Sequence, residues 1–123
     1  MQTRVFLFFY QLDSTCEYRP SSIAFVFSLV NKPGWGPVTF KPPGDESSYE
    51  YATYSCYSAG PTFGRGNDIY IASEASNSYS LLGYTYNPPS GYSYGSEFAN
   101  SFLAGSYQFK PDEVEVFYET NYK

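Results

Sequence analysis

"GPTFGRGNDIYI", residues 60–71, decides how this chain is read. Three glycines surround Arg65, and Asn67-Asp68 lead into Ile69, Tyr70 and Ile71. A phosphate loop needs its glycines to open a helix N-terminus, with a GK[ST] ending. Here the tail alternates polar and apolar residues, with Ile69 and Ile71 on one face, so it predicts a strand. Gly60, Gly64 and Gly66 then read as a tight strand-to-strand connection, where glycine supplies positive φ and lets backbones approach. Asp68 is expected to accept hydrogen bonds from the free N–H groups of that turn. Arg65 is the one side chain of the stretch left over for a partner.

The flanks follow the same pattern. "RVFLFFY" (4–10) predicts a buried strand, and "IAFVFSL" (23–29) a central one. In the latter, Ile23, Phe25, Phe27 and Leu29 share one face, with Ala24, Val26 and Ser28 on the other. "NKPGWGP" (31–37) breaks the chain, "VTF" (38–40) is a short strand, and "KPPGDESS" (41–48) is a polar loop. Strands are predicted at "YEYATYSCY" (49–57), "SLLGYTY" (80–86) and "DEVEVFY" (112–118). "SEFANSF" (96–102) is the helix candidate, with Ser96 as its cap, and Gly105 marks a turn. Short strands joined by Gly, Pro and Asn turns imply a mainly β fold: two antiparallel sheets packed as a sandwich, with few short helices.

The composition bounds the chemistry. The 123 residues suit one domain, and 15 Tyr with 11 Phe favour strands. The net charge of -5 opposes a nucleic-acid partner, and the longest apolar run is too short for membrane insertion. The acids Asp112, Glu113, Glu115 and Glu119 form either a solvated face or an acidic docking strip. There is no histidine, so Ser-His-Asp and Cys-His nucleophiles and His-ligated metals are excluded. No carboxylate pair can be placed together from sequence. The chain is read as no enzyme, with no catalytic residue, metal or cofactor. Cys16 and Cys56 are compatible with one disulfide in a secreted protein or two thiols in the cytosol. Within its aromatic stretch Cys56 reads by default as a buried, inert thiol. No N-x-[ST] sequon and no signal-peptide pattern occur, which favours the cytoplasm. Trp35, between Gly34 and Gly36, reads as an exposed aromatic tip. With Tyr92 and Tyr94 it offers a contact for a partner, or for sugars in the manner of a carbohydrate-binding β-sandwich.

Five motifs in order carry a family resemblance: "AFVFSLVN" (24–31), "GPTFGRGNDIYIA" (60–72), "NSYSLLGYTYNPP" (77–89), "FLAGSYQF" (102–109) and "DEVEVFYE" (112–119). Together they resemble the TLDc domain of oxidation-resistance proteins, with the best match over 24–119. Family members begin with a longer segment carrying helices and an "FGG" turn. Here Leu7 and Phe8 stand where its glycines belong, so residues 1–123 read as a single, N-terminally truncated TLDc-like domain. The resemblance implies a β sandwich flanked by short helices. It also implies a non-enzymatic interaction module, associated with oxidative-stress protection and with binding to subunits of the vacuolar proton-pumping ATPase. Within the matched motifs Gly60, Gly64, Gly66, Asp68 and Gly105 are the structural positions, and Arg65 and Trp35 the candidate partner contacts.

Overall fold

The computed structural model describes residues 4–8, 15–56, 58–72 and 77–111. Two antiparallel sheets form the domain. The first orders β1 (Arg4–Phe8), β3 (Phe25–Val30) and β4 (Val38–Phe40) as β1-β3-β4. The second has six strands in the order β2-β5-β6-β7-β8-β9: β2 (Thr15–Arg19), β5 (Thr53–Cys56), β6 (Ala59–Phe63), β7 (Ile69–Ala72), β8 (Ser78–Ser80) and β9 (Gln108–Phe109). Two short helices, α1 (Glu46–Tyr49) and α2 (Glu97–Ser101), complete the described part. The mainly β architecture is the one the turn-rich sequence predicts.

One apolar cluster joins the sheets. Val26 and Phe40 come from the first, Phe63, Ile69 and Ile71 from the second, and Leu82, Tyr86, Phe102 and Leu103 from the segment between β8 and β9. Phe40 meets Phe102 edge to face at 5.4 Å, a preferred arrangement for aromatic quadrupoles.

Several local expectations are corrected. β3 is central, but it turns its small face inward: Ala24, Val26 and Ser28 are buried while Ile23 and Leu29 are exposed. Small residues there let the neighbouring layer approach closely, so residue size did not mark the core side. The polar loop at 41–48 contains the start of α1, because Asp45 caps it by accepting from Ser48 N–H at 2.8 Å. The strand predicted over 49–57 is confined to Thr53–Cys56. Of the strand predicted at 80–86 only Ser80 is in a strand, as the last residue of β8; residues 81–86 leave the sheet for a reason given below. β2, in the polar stretch around Cys16, was not anticipated. α2 and its Ser96 cap are as predicted, with Ser96 Oγ accepting from Ala99 N–H at 3.2 Å. The strand expected at 112–118, with its acidic residues, lies outside the described residues.

Register fixes which face each side chain takes. Thr53, Phe63, Ile69 and Ser80 pair in one row across four strands, and all are buried against the core. The adjacent row runs Tyr18, Tyr54, Thr62, Tyr70, Tyr79 and Gln108 through all six strands. By the alternation of strand side chains this row lies on the opposite face.

Candidate functional site

The glycine-rich stretch forms the β6–β7 hairpin, and a second loop is clamped onto it. Gly64 has φ +89° and Asn67 φ +58°. Gly64 N–H donates to Ala52 O at 3.0 Å, and Arg65 N–H donates to Thr85 Oγ1 at 2.8 Å. Asp68, fully buried, takes its hydrogen bonds from residues 83–86 rather than from its own turn. Its Oδ2 accepts from the N–H groups of Gly83, Tyr84 and Tyr86 at 3.0 Å, and Thr85 N–H is shared between Oδ1 and Oδ2 at 3.0 and 3.1 Å. Four amides converging on one carboxylate pull residues 83–86 out of the sheet, which is why the strand predicted there does not form. Burial raises the Asp68 carboxyl to about 6, against the opposing effect of these four amides. Tyr86 completes the knot by donating its hydroxyl to Ala52 O at 2.7 Å.

The knot presents Arg65 on the outside. Arg65 is exposed, and its guanidinium carbon lies 4.7 Å from the Tyr51 ring centroid, within cation–π range. Its carbonyl accepts from Tyr18 Oη at 3.3 Å. Tyr18 meets Tyr51 at 5.2 Å and Tyr54 at 5.0 Å, and Tyr70 meets Tyr79 at 5.0 Å. Tyr79 Oη accepts from Asn67 Nδ2 at 2.6 Å, which ties the row back to the turn. Burial, followed by the neighbouring Tyr54 phenol, raises the Tyr18 hydroxyl above its ordinary range, while Arg65 acts in the other direction. The outer face of the six-stranded sheet is therefore a half-exposed row of tyrosines with one cation at its edge.

Trp35 lies in a separate cluster, against Tyr92, Phe98 and Phe102. It is 47 % exposed. Gly60 sits inside β6, where a Cβ would come within 2.7 Å of Ile71 O. Gly66 lies under the Tyr84 side chain, and Gly105 is in an open turn after α2 with its N–H donating to Ser101 O at 2.9 Å. Cys16 and Cys56 form a disulfide, which corrects the reading of Cys56 as an inert free thiol. Forty residues separate them in sequence, and only the pairing of β2 with β5 brings their Cα atoms to 4.1 Å. The tyrosine row was equally hidden, because it is a product of register and no single segment contains it. Among the described residues no group of three His, Cys, Asp or Glu side chains is placed to hold a metal. No described helix is long and apolar enough to cross a membrane.

Searches against curated proteins and solved structures return no significant match. A family model described as the TLDc domain matches residues 4–119. That span includes both sheets, both helices and the clamped glycine turn, and the chain belongs to the TLDc domain family.

Proposed function

We propose that this chain is a non-enzymatic protein-interaction module of the TLDc type, acting in oxidative-stress protection through peripheral subunits of the vacuolar proton-pumping ATPase. The observation that carries the interaction surface is Arg65 over Tyr51, at the edge of the tyrosine row. Tyr and Arg are the residue types that dominate binding energy at protein interfaces, and here their backbone is held by the Asp68 knot. The non-enzymatic reading is supported by the commitment of the buried Asp68 carboxylate to four backbone amides, which leaves it no free acceptor for chemistry. The named partner comes from the family. A pull-down from native extract with the full chain is expected to recover those subunits. Arg65→Glu is expected to lower recovery at least about tenfold, as for an arginine that anchors an interface. Recovery that is absent, or indifferent to Arg65→Glu, counts against the reading.

A cytoplasmic location accompanies this proposal and has a consequence for the disulfide. Cytosolic thiol buffers keep such pairs reduced except during transient oxidation. Alkylation before lysis is therefore expected to trap Cys16 and Cys56 as two thiols in unstressed cells, with the bridge appearing after peroxide. A pair found fully bridged in unstressed cells places the protein in an oxidising compartment.

A further inference from the structure

Helix α2 divides two features that the tyrosine row does not include. Phe98 and Phe102, four residues apart, turn towards Trp35, with ring centroids at 5.4 and 5.2 Å. Tyr92 stacks flat on Phe98 at 3.7 Å and 11°. Trp35 and Tyr92 remain 47 % and 43 % exposed, and with centroids 6.4 Å apart and planes tilted by 45° they form an angled aromatic platform open to solvent. The platform is braced from below. Asn31 is fully buried, accepts from Trp35 N–H at 2.9 Å and donates to Gly36 O at 2.8 Å, which fixes the loop carrying the indole.

The next face of the same helix carries Glu97, Asn100 and Ser101, spaced i, i+3 and i+4. With Lys32, Ser106 and Tyr107 they line an open cleft of about 410 Å³. Asn100 lines the cleft as a residue, while its Oδ1 is buried without a hydrogen-bond partner. Such an orphan acceptor costs stability.

We propose that the platform and cleft form one binding site for a neutral oligosaccharide. A pyranose ring has an apolar C–H face, which suits the Trp35 and Tyr92 rings, and an edge of hydroxyls that both donate and accept. Lys32 supplies donors, Glu97 acceptors, and Asn100 both. A charged ligand would meet opposite charges at Lys32 and Glu97. The loop at 87–96 beside the platform carries no charge. A proline-rich peptide would use the rings but leave the polar cleft unsatisfied. The site is distinct from the Arg65 face and goes beyond the interaction module proposed above.

Trp35 is the sole tryptophan, so its fluorescence reports directly on the site. The full chain should be titrated with neutral cello-, xylo- and manno-hexaoses, and with poly-L-proline in parallel. At least one hexaose is expected to shift the emission saturably. Calorimetry with that hexaose is expected to show at least about tenfold weaker binding for Tyr92→Ser and about fivefold weaker for Asn100→Ala. Asn100→Ala removes the amide donors together with an acceptor that has no partner in the fold, and serves as the variant that keeps the fold; its melting temperature verifies this. No response to any hexaose overturns the proposal, as does a response to poly-L-proline alone. Hexaose binding unchanged in both variants overturns the assignment to this site. Loss of subunit recovery in the Arg65→Glu pull-down has no bearing on these readouts.

Discussion

Replacing Asp68 with alanine is expected to cost about 4 kcal/mol of folding stability, from the roughly 1–3 kcal/mol attached to each buried donor left unsatisfied. Four amides lose their acceptor at once, and those of Thr85 and Tyr86 are in buried surroundings. Tyr86 is also a core residue, so slackening residues 83–86 loosens the contact of its ring with Phe63 at 6.2 Å. Asp68→Asn should behave differently. An amide oxygen in the Oδ2 position can still accept from Gly83, Tyr84, Thr85 and Tyr86, since all four reach that atom. Chemical denaturation at pH 7 is expected to place Asp68→Ala well below both the wild type and Asp68→Asn. Equal losses in the two variants would show that the oxygen at Oδ2 is not what holds the loop.

The same pair reads the electrostatics of burial. The Asp68 carboxyl is raised from 3.8 to about 6 in the folded chain. Between those values the folded state holds a proton that the unfolded state releases. The group's contribution to stability is therefore fully present below about pH 4 and is lost as pH rises through about 6. The wild type should thus lose up to roughly 3 kcal/mol relative to Asp68→Asn across that window, because each tenfold change in proton affinity is worth about 1.4 kcal/mol. The difference between the two proteins isolates Asp68, because their other carboxylates are shared. A difference independent of pH would mean that the four amides balance desolvation, and a wild type that gains on Asp68→Asn as pH rises would mean that they outweigh it.

What the sequence made legible was local, and what it concealed depended on register or distance. Alternation in Ile69–Ile71, the cap at Ser96 and the glycine turn at 64–66 each act within a few residues, and each was readable. Asp68 was recognised as an anchor, but its donors lie 15 to 18 residues downstream, and no short-range rule points there. "SLLGYTY" has strand composition yet forms a loop, because satisfying a buried carboxylate outweighs the intrinsic preference of Tyr and Thr for strands. The Trp35 tip was legible from its flanking glycines. Its ring partners Phe98 and Phe102 were not, since they lie more than sixty residues away and appeared only as helix periodicity.

Gly64→Val is expected to destabilise as strongly as Asp68→Ala, by about 4 kcal/mol or more, and for a related reason. At φ +89° any side chain is strained, and the left-handed region alone costs roughly 1–2 kcal/mol for a residue with a Cβ. The space is also occupied. A Cβ on Gly64 would overlap Asp68 Oδ1 and stand 2.8 Å from Asp68 Cγ and 3.1 Å from Thr85 Cβ. Because the obstacle is the anchor carboxylate, the substitution must displace the group that four amides depend on. Gly105 provides the control. It has a similar φ of +94° but nothing within 4 Å of a Cβ, so Gly105→Ala should show the backbone cost alone. Coupling supplies the sharper test. If Gly64→Ala acts mainly by evicting Asp68, then combining it with Asp68→Ala adds little beyond the backbone strain, and the double-mutant cycle shows a coupling of about 1–3 kcal/mol. Full additivity of the two losses would mean that turn and carboxylate stabilise the fold independently, and the close approach of Gly64 to Asp68 would lose its energetic significance.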